Sequence, residues 1–207
     1  ARATEVDGPV RLPRAVVAEC HARSYRLTAM ACPIVPKIRV EAVNISSALK
    51  FIDRTHSHLD PPIGGLFALA AWVESECVGV VLVGRPVARG LDQKGGVAEV
   101  TRTATNHVRG ACSALVKAAG REAVARGYTR VVSYTILGET GACYRAARWR
   151  PVAVCGGGEW SNNVRKRKPA QQPTLKIRWE YGPDAMPRSM DAWNALVTNA
   201  GRVTIRE

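Results

Sequence analysis

The stretch VAEVTRTATNHVRGACSALVKAAGREAVARGYTRVVSYTILGETGACYRAARW, residues 97–149, decides the fold. It opens at 97–105 with an apolar–polar alternation, the two-residue period of a half-buried strand. A polar loop follows at 106–113, and the alanine-rich run 111–127 has the propensity of a helix. A second strand is expected at 129–136, and a short helix at 139–149 closes the unit. Two strands joined by a helix of this length are expected to lie parallel and adjacent, with a right-handed crossover. That order sets a helix N-terminus beside a strand end, where unpaired N–H groups and the positive end of the helix dipole favour an anion. Arg109 and Gly110 stand at the turn. The guanidinium can grip a phosphate through two bonds, and the glycine lets a ligand approach the backbone. The spacing is neither GxGxxG nor a P-loop, so an ordinary β–α turn with a solvated arginine is the competing reading.

Working outward, alternation or apolar runs predict further strands at 37–43, 66–73, 77–84, 150–155 and 175–181. A helix at 48–56 is capped from 44–47, with Leu49, Phe51 and Ile52 on or near one face. Residues 74–76 read as a hairpin turn. Pro61-Pro62 and Gly64-Gly65 fix a loop after His56, and 86–96 is a second loop. The fold class is α+β, a mixed, mostly antiparallel sheet of about six or seven strands with helices on both faces. Residues 1–36 read as an N-terminal extension, 37–181 as the domain, and 182–207 as a C-terminal extension with a short helix. Ser189 caps that helix, and Trp193, Leu196 and Val197 give it an apolar face.

At 207 residues and 46% apolar content the chain can bury a core as one domain with extensions. No apolar run reaches membrane-spanning length, and no secretory signal is recognisable, so no membrane partner is expected. The six cysteines form no CxxC pair, and their scatter suggests reduced, buried thiols and a cytoplasmic location. The formal net charge of +13 implies a polyanionic partner. The run Arg165, Lys166, Arg167 and Lys168, flanked by Trp160 and Trp179, suits nucleic acid: the cations neutralise phosphates and the aromatics stack on bases. A solvated basic loop between two core tryptophans is the alternative.

Three places can carry proton chemistry. Glu99, on the strand before the Arg109 loop, can take a proton from an amine, or else pair with Arg102 or face solvent. His56 and His58 point the same way if their loop is extended, with Asp60 beside them. They suit a general base, a substrate contact or a metal ligand, but the spacing is not diagnostic and no metal is assigned. Of Ser133 and Tyr134, one borders the presumed cleft and can contact ligand, while the other packs.

The runs EVTRTAT, RGACSAL and YRAARW resemble those of the GCN5-related N-acetyltransferase (GNAT) superfamily. The ordered set HSHLDPP, GVVLVGRPVARGLD, AEVTRTAT, ACSAL, SYT, GGGEWS and KIRWE, over about residues 37–180, is most similar to phage- and prophage-encoded GNAT-like proteins. The Mom DNA-modification protein of phage Mu is a distant relative of that group. The resemblance implies an enzyme that moves an acyl group from acetyl-CoA to an amine. It implies cofactor contacts from Thr103, Ala104, Thr105, Arg109, Gly110, Ala111, Cys112 and Ser113. It also makes Tyr144, five residues before the terminal aromatic Trp149, the acid that protonates the departing thiolate. A phenol titrates in the range suited to that leaving group; a ring packed on the sheet is the alternative. Two departures stand out: Arg109-Gly110-Ala111 lacks the family's full loop spacing, and Arg148 replaces the usual glycine before the terminal aromatic. The phage likeness and the charge favour DNA or another nucleic acid as acceptor. They also leave room for a Mom-like modifier that does not use acetyl-CoA conventionally, or a non-catalytic nucleic-acid-binding protein.

Overall fold

A computed structural model describes residues 36–55, 62–91, 95–156 and 175–200. The chain divides into two compact units, Ala1–Ile34 and Val35–Glu207, and every described residue lies in the second. The loop chemistry expected at His56 and His58, and the basic run Arg165 to Lys168, fall outside the described residues.

The elements run β1 (Ile38–Val43), α1 (Ile45–Thr55), β2 (Phe67–Val73), β3 (Glu76–Gly84), β4 (Val97–Thr105), α2 (Ala111–Ala125), β5 (Arg130–Ile136), α3 (Ala142–Ala146), β6 (Arg150–Cys155), β7 (Lys176–Tyr181) and α4 (Met190–Ala200). The described strands form one sheet in the order β1-β2-β3-β4-β5-β7-β6. Every neighbouring pair is antiparallel except β4 and β5, which are parallel. This is the α+β sheet expected from the sequence.

β2 and β3 are apolar almost throughout because helices cover both faces. Phe67, Leu69, Ala71, Val81 and Val83 join the core with Leu115, Val116 and Ala119 of α2. Their neighbours Ala68, Ala70, Val80 and Leu82 pack instead with Ala48, Phe51 and Ile52 of α1. The α1 helix starts earlier than its sequence suggests, because the Asn44 carbonyl accepts from the Ser47 and Ala48 amides and closes a turn before Ala48. Small residues bring α2 close to the sheet: a Cβ at Gly120 would lie 2.8 Å from Tyr181 Cδ1.

A bulge in β4 matters for the site. Leu82 pairs with Arg102 but Val83 pairs with Val100, so Thr101 is the extra residue, and its hydroxyl donates to the Leu82 carbonyl at 3.2 Å. The insertion reverses which side chains face which layer. Ala98 and Val100 enter the α2 core, whereas Ala104 enters the α1 cluster.

The α3 helix is shorter than the 139–149 expected. The Glu139 carboxylate accepts from the Ile136 amide, and Gly141 takes a left-handed conformation (φ 59°) before the first helical residue. Its far end closes with Arg148 N–H donating to the Arg145 carbonyl and Trp149 N–H to that of Tyr144. Arg148 itself is left-handed (φ 65°), the place where such a closure usually has glycine. At the end of the described chain, the Ser189 hydroxyl accepts from the Ala192 amide. The Ser189 amide binds the Pro151 carbonyl of β6. Leu196 of α4 is in the α2 core, while Val197 is exposed rather than part of an apolar face.

Candidate active site

β4 and β5 stay paired for only three residues: Val97 with Arg130, Ala98 with Val131, and Glu99 with Val132. Beyond that point β4 continues to Thr105 and β5 to Ile136, but their backbones no longer pair as a ladder. The bulge turns β4 away, and β7 holds β5 on its other edge. The result is a wedge between two parting strands that opens toward their C-terminal ends. In open sheets that is where ligands bind.

A hydrogen-bonded chain sits at the apex of the wedge. The Ser133 hydroxyl reaches the Val100 carbonyl at 3.3 Å. It lies 2.7 Å from the Tyr144 hydroxyl. If Ser133 spends its proton on the Val100 carbonyl, the phenol donates to Ser133. Packing explains the position of Tyr144: its ring stacks on Trp179 with centroids 5.3 Å apart and meets Trp149 edge-on at 5.5 Å. Trp179 is fixed in turn by its indole N–H donating to Thr135 Oγ1 at 3.0 Å. Burial raises the Tyr144 hydroxyl far above the ordinary phenol range, against a lowering contribution from Ser133. It therefore keeps its proton through neutral pH.

The start of α2 forms the open end of the wedge. Gly110 precedes it in a left-handed conformation (φ 88°), and no side chain caps it. Ala111 N–H is spent on the Val108 carbonyl, and Ala114 N–H on that of Gly110. Among the described residues, the Cys112 and Ser113 amides between them have no backbone acceptor. The Ser113 hydroxyl turns back to the Gly110 carbonyl at 3.0 Å. Arg109 is exposed beside these amides. On β4, the Thr103 hydroxyl is buried with no hydrogen-bond partner among the described residues. Ala104 turns its methyl into the α1 cluster, so only its backbone faces the wedge, and Thr105 ends the strand. Ala111 is core. The Cys112 thiol meets that of Cys143 in a hydrogen bond, which raises Cys112 above the ordinary thiol range and lowers Cys143. The described cysteines Cys77, Cys112, Cys143 and Cys155 are free thiols.

Glu99 lies between two residues of the α2 core, so strand alternation aims it at the opposite sheet face from Tyr144. It is buried rather than solvated, and its Oε2 accepts from the Val87 amide at 2.9 Å. Burial raises its pKa, while the Val87 bond and the charges of Arg102 and Lys176 pull it down. Tyr134 shares this face: burial and then the Glu99 charge push its phenol up to about 12. Ser133 is thus the one on the Tyr144 side. Arg178 and Glu180 were missed by sequence reasoning. They form an ion pair at 3.1 Å on the Glu99 face, with Glu180 fully buried and its second oxygen accepting from the Met186 amide at 2.8 Å. Two charged residues separated by one position in a strand were the available signal. Among the described residues no group of His, Cys, Asp and Glu assembles to hold a metal ion, and no helix is long and apolar enough to cross a membrane.

No protein-family model matches the chain, and no curated protein does either. Solved structures do. An N-acetyltransferase from Staphylococcus aureus Mu50 superposes with a TM-score of 0.51 at 10% identity, over 72% of this chain and 99% of that one. The ribosomal-protein-S18-alanine N-acetyltransferase of Escherichia coli gives 0.50 at 9% identity, over 74% and 99%. A GNAT-family protein from Desulfovibrio desulfuricans gives 0.50 at 13% identity, over 71% and 99%. The chain therefore has the fold of the GNAT acetyltransferases.

Proposed function

We propose that the protein is an acyl-CoA-dependent N-acyltransferase using acetyl-CoA. The observation that carries this reading is the wedge between β4 and β5, with the Tyr144–Ser133 pair at its apex and the free amides of α2 at its opening. The residues present fit the cofactor. The Cys112 and Ser113 amides, with Arg109, suit a pyrophosphate. The unpaired edge of β4 suits an amide-bearing arm that bonds as a strand does, and the Thr103 hydroxyl lacks the partner such an arm can supply. When bound, the thioester supplies an activated acyl group.

The roles of the chain's own residues follow from their faces. Glu99 takes the proton of the attacking amine as the N–C bond forms. Tyr144, through Ser133, supplies a proton to sulfur as the C–S bond breaks. With base and acid on opposite faces, the reacting atoms lie in the gap where the strands part. The net charge of +13 supports an acceptor carried on a polyanion, nucleic acid above others.

Calorimetric titration with acetyl-CoA tests the reading. Saturable binding is expected, and Arg109→Ala should weaken it about 10- to 100-fold, the worth of a charge-assisted contact. Absence of binding at millimolar cofactor would discard the mechanism.

Glu99→Gln should abolish most turnover and raise stability at neutral pH. The folded-state pKa of Glu99 is raised, so its contribution to stability is fully present below the unfolded value of 4.5 and is lost as pH rises through the folded value. Glutamine has no charge to bury. A melt at pH 7 lower than that of the wild type would contradict this, and unchanged kcat would exclude Glu99 as the base.

A further inference from the structure

Away from the wedge, a surface cavity of about 320 Å³ is lined by Val124, Arg148, Arg150, Tyr181, Gly182 and Pro183. Val124 is near the C-terminal end of α2, whose free amides are at the other end. The helical rise puts about 20 Å between the two ends. Arg148 and Arg150 line the cavity, and among the described residues neither has an ion-pair partner. Glu180 lies opposite Arg150 in the strand register. Its carboxylate, however, is occupied by Arg178 and the Met186 amide. Asp184, next to Pro183, pairs with neither arginine. Arg121, exposed one turn before Val124 on α2, adds a third cation on that side.

Arg148 carries a second observation. Its left-handed backbone is one that glycine adopts without steric cost and an L-residue does not. The chain thus holds an exposed arginine, without an ion-pair partner among the described residues, where glycine would give the more stable helix end. Strain of this kind points to what the side chain contacts.

We propose that this cavity is a phosphate subsite for the backbone of nucleic acid, with Arg148 and Arg150 neutralising adjacent phosphodiesters and the Tyr181 hydroxyl available as a further donor. An exposed and a half-buried arginine hold a lone phosphate weakly in salt. A polymer of phosphates releases counterions at every contact, and the overall charge of +13 draws it in. The inference goes beyond acyl transfer, since binding here neither needs nor implies acetyl-CoA.

The test is fluorescence anisotropy of the full chain with a duplex of about 20 base pairs, titrated between about 50 and 200 mM salt. Saturable, salt-dependent binding is expected. Arg148→Gln with Arg150→Gln should weaken it roughly tenfold or more and reduce the slope of log K against log salt by about 2. Arg148→Gly alone should reduce the slope by about 1 and raise Tm by about 2–4 °C, a pairing that a purely structural arginine would not produce. Acetyl-CoA affinity in these variants should stay at the wild-type value. The proposal would be overturned by no DNA binding by the wild type, an unchanged slope in the double variant, a lower Tm in Arg148→Gly, or displacement of DNA by polyglutamate at equal charge. A parallel fall in acetyl-CoA affinity would do the same, since the cavity would then belong to the cofactor. Failure to bind acetyl-CoA in all forms, with the DNA results as expected, would count against the acyltransferase reading alone.

Discussion

Tyr144→Phe is expected to lower kcat for acetyl transfer about 10²–10⁴-fold, the usual worth of a positioned acid. The variant keeps the ring between Trp149 and Trp179 and removes only the hydroxyl at 2.7 Å from Ser133. Its fold should therefore survive with a loss of roughly 0.5–1.5 kcal/mol, one neutral hydrogen bond. Acetyl-CoA affinity should hold, because the amides of α2 are untouched. Ser133→Ala should show a similar fall in kcat, since Ser133 stands between the phenol and the wedge. Burial keeps the Tyr144 proton in place well above the ordinary phenol range. The wild-type kcat profile should accordingly show no loss from this group up to about pH 10. Steady-state kinetics over pH, with circular dichroism to check folding, decide the matter. Wild-type turnover in the phenylalanine variant would leave Tyr144 with a packing role only.

Gly141→Ala should produce the largest loss of stability of any single methyl addition near the site. A Cβ at Gly141 would overlap the Trp179 indole, and the backbone there is left-handed. Trp179 has no room to yield: it is fully buried, stacked on Tyr144 and bonded to Thr135. Backbone strain and overpacking together cost about 2–5 kcal/mol, a fall in Tm of about 5–20 °C for a domain of this size. Displacement of Trp179 would also tilt Tyr144, so kcat should fall with the melt. A thermal transition within a degree of the wild type would mean that the indole repacks freely.

The frame of the fold was legible because it rests on period. The alternation of 97–105, the alanine-rich run after it and the apolar 129–136 mark β4, α2 and β5 within a residue or two. The parallel pairing followed from the length of the connection. What the residues did not announce was where that pairing stops. The bulge at Thr101 has no signature of its own, since threonine is an ordinary strand residue. Its effect is nevertheless to send Ala104 to the α1 side, while Ala98 and Val100 before it stay in the α2 core. Glu99 could be singled out as a carboxylate on the strand before the Arg109 loop, and Tyr144 only through the family resemblance, by its spacing to Trp149. Ser133 as the bridge, the Cys112–Cys143 contact and the buried Arg178–Glu180 pair depend on distances across strands and helices that no local spacing encodes. Arg148 was visible as a departure from a family pattern, but its left-handed backbone was not.

The three-residue pairing of β4 with β5 also has a mechanical meaning. On one side, β1 to β4 are stitched by long antiparallel ladders, and on the other, β5, β7 and β6 are stitched likewise. The sheet is two stiff plates that share one short seam. A small pivot about that seam changes the width of the gap without breaking a ladder bond in either plate. The aperture of the site is thus set by how α2, lying across both plates, is packed, and its pressure points are the small residues Ala119, Gly120 and Ala123.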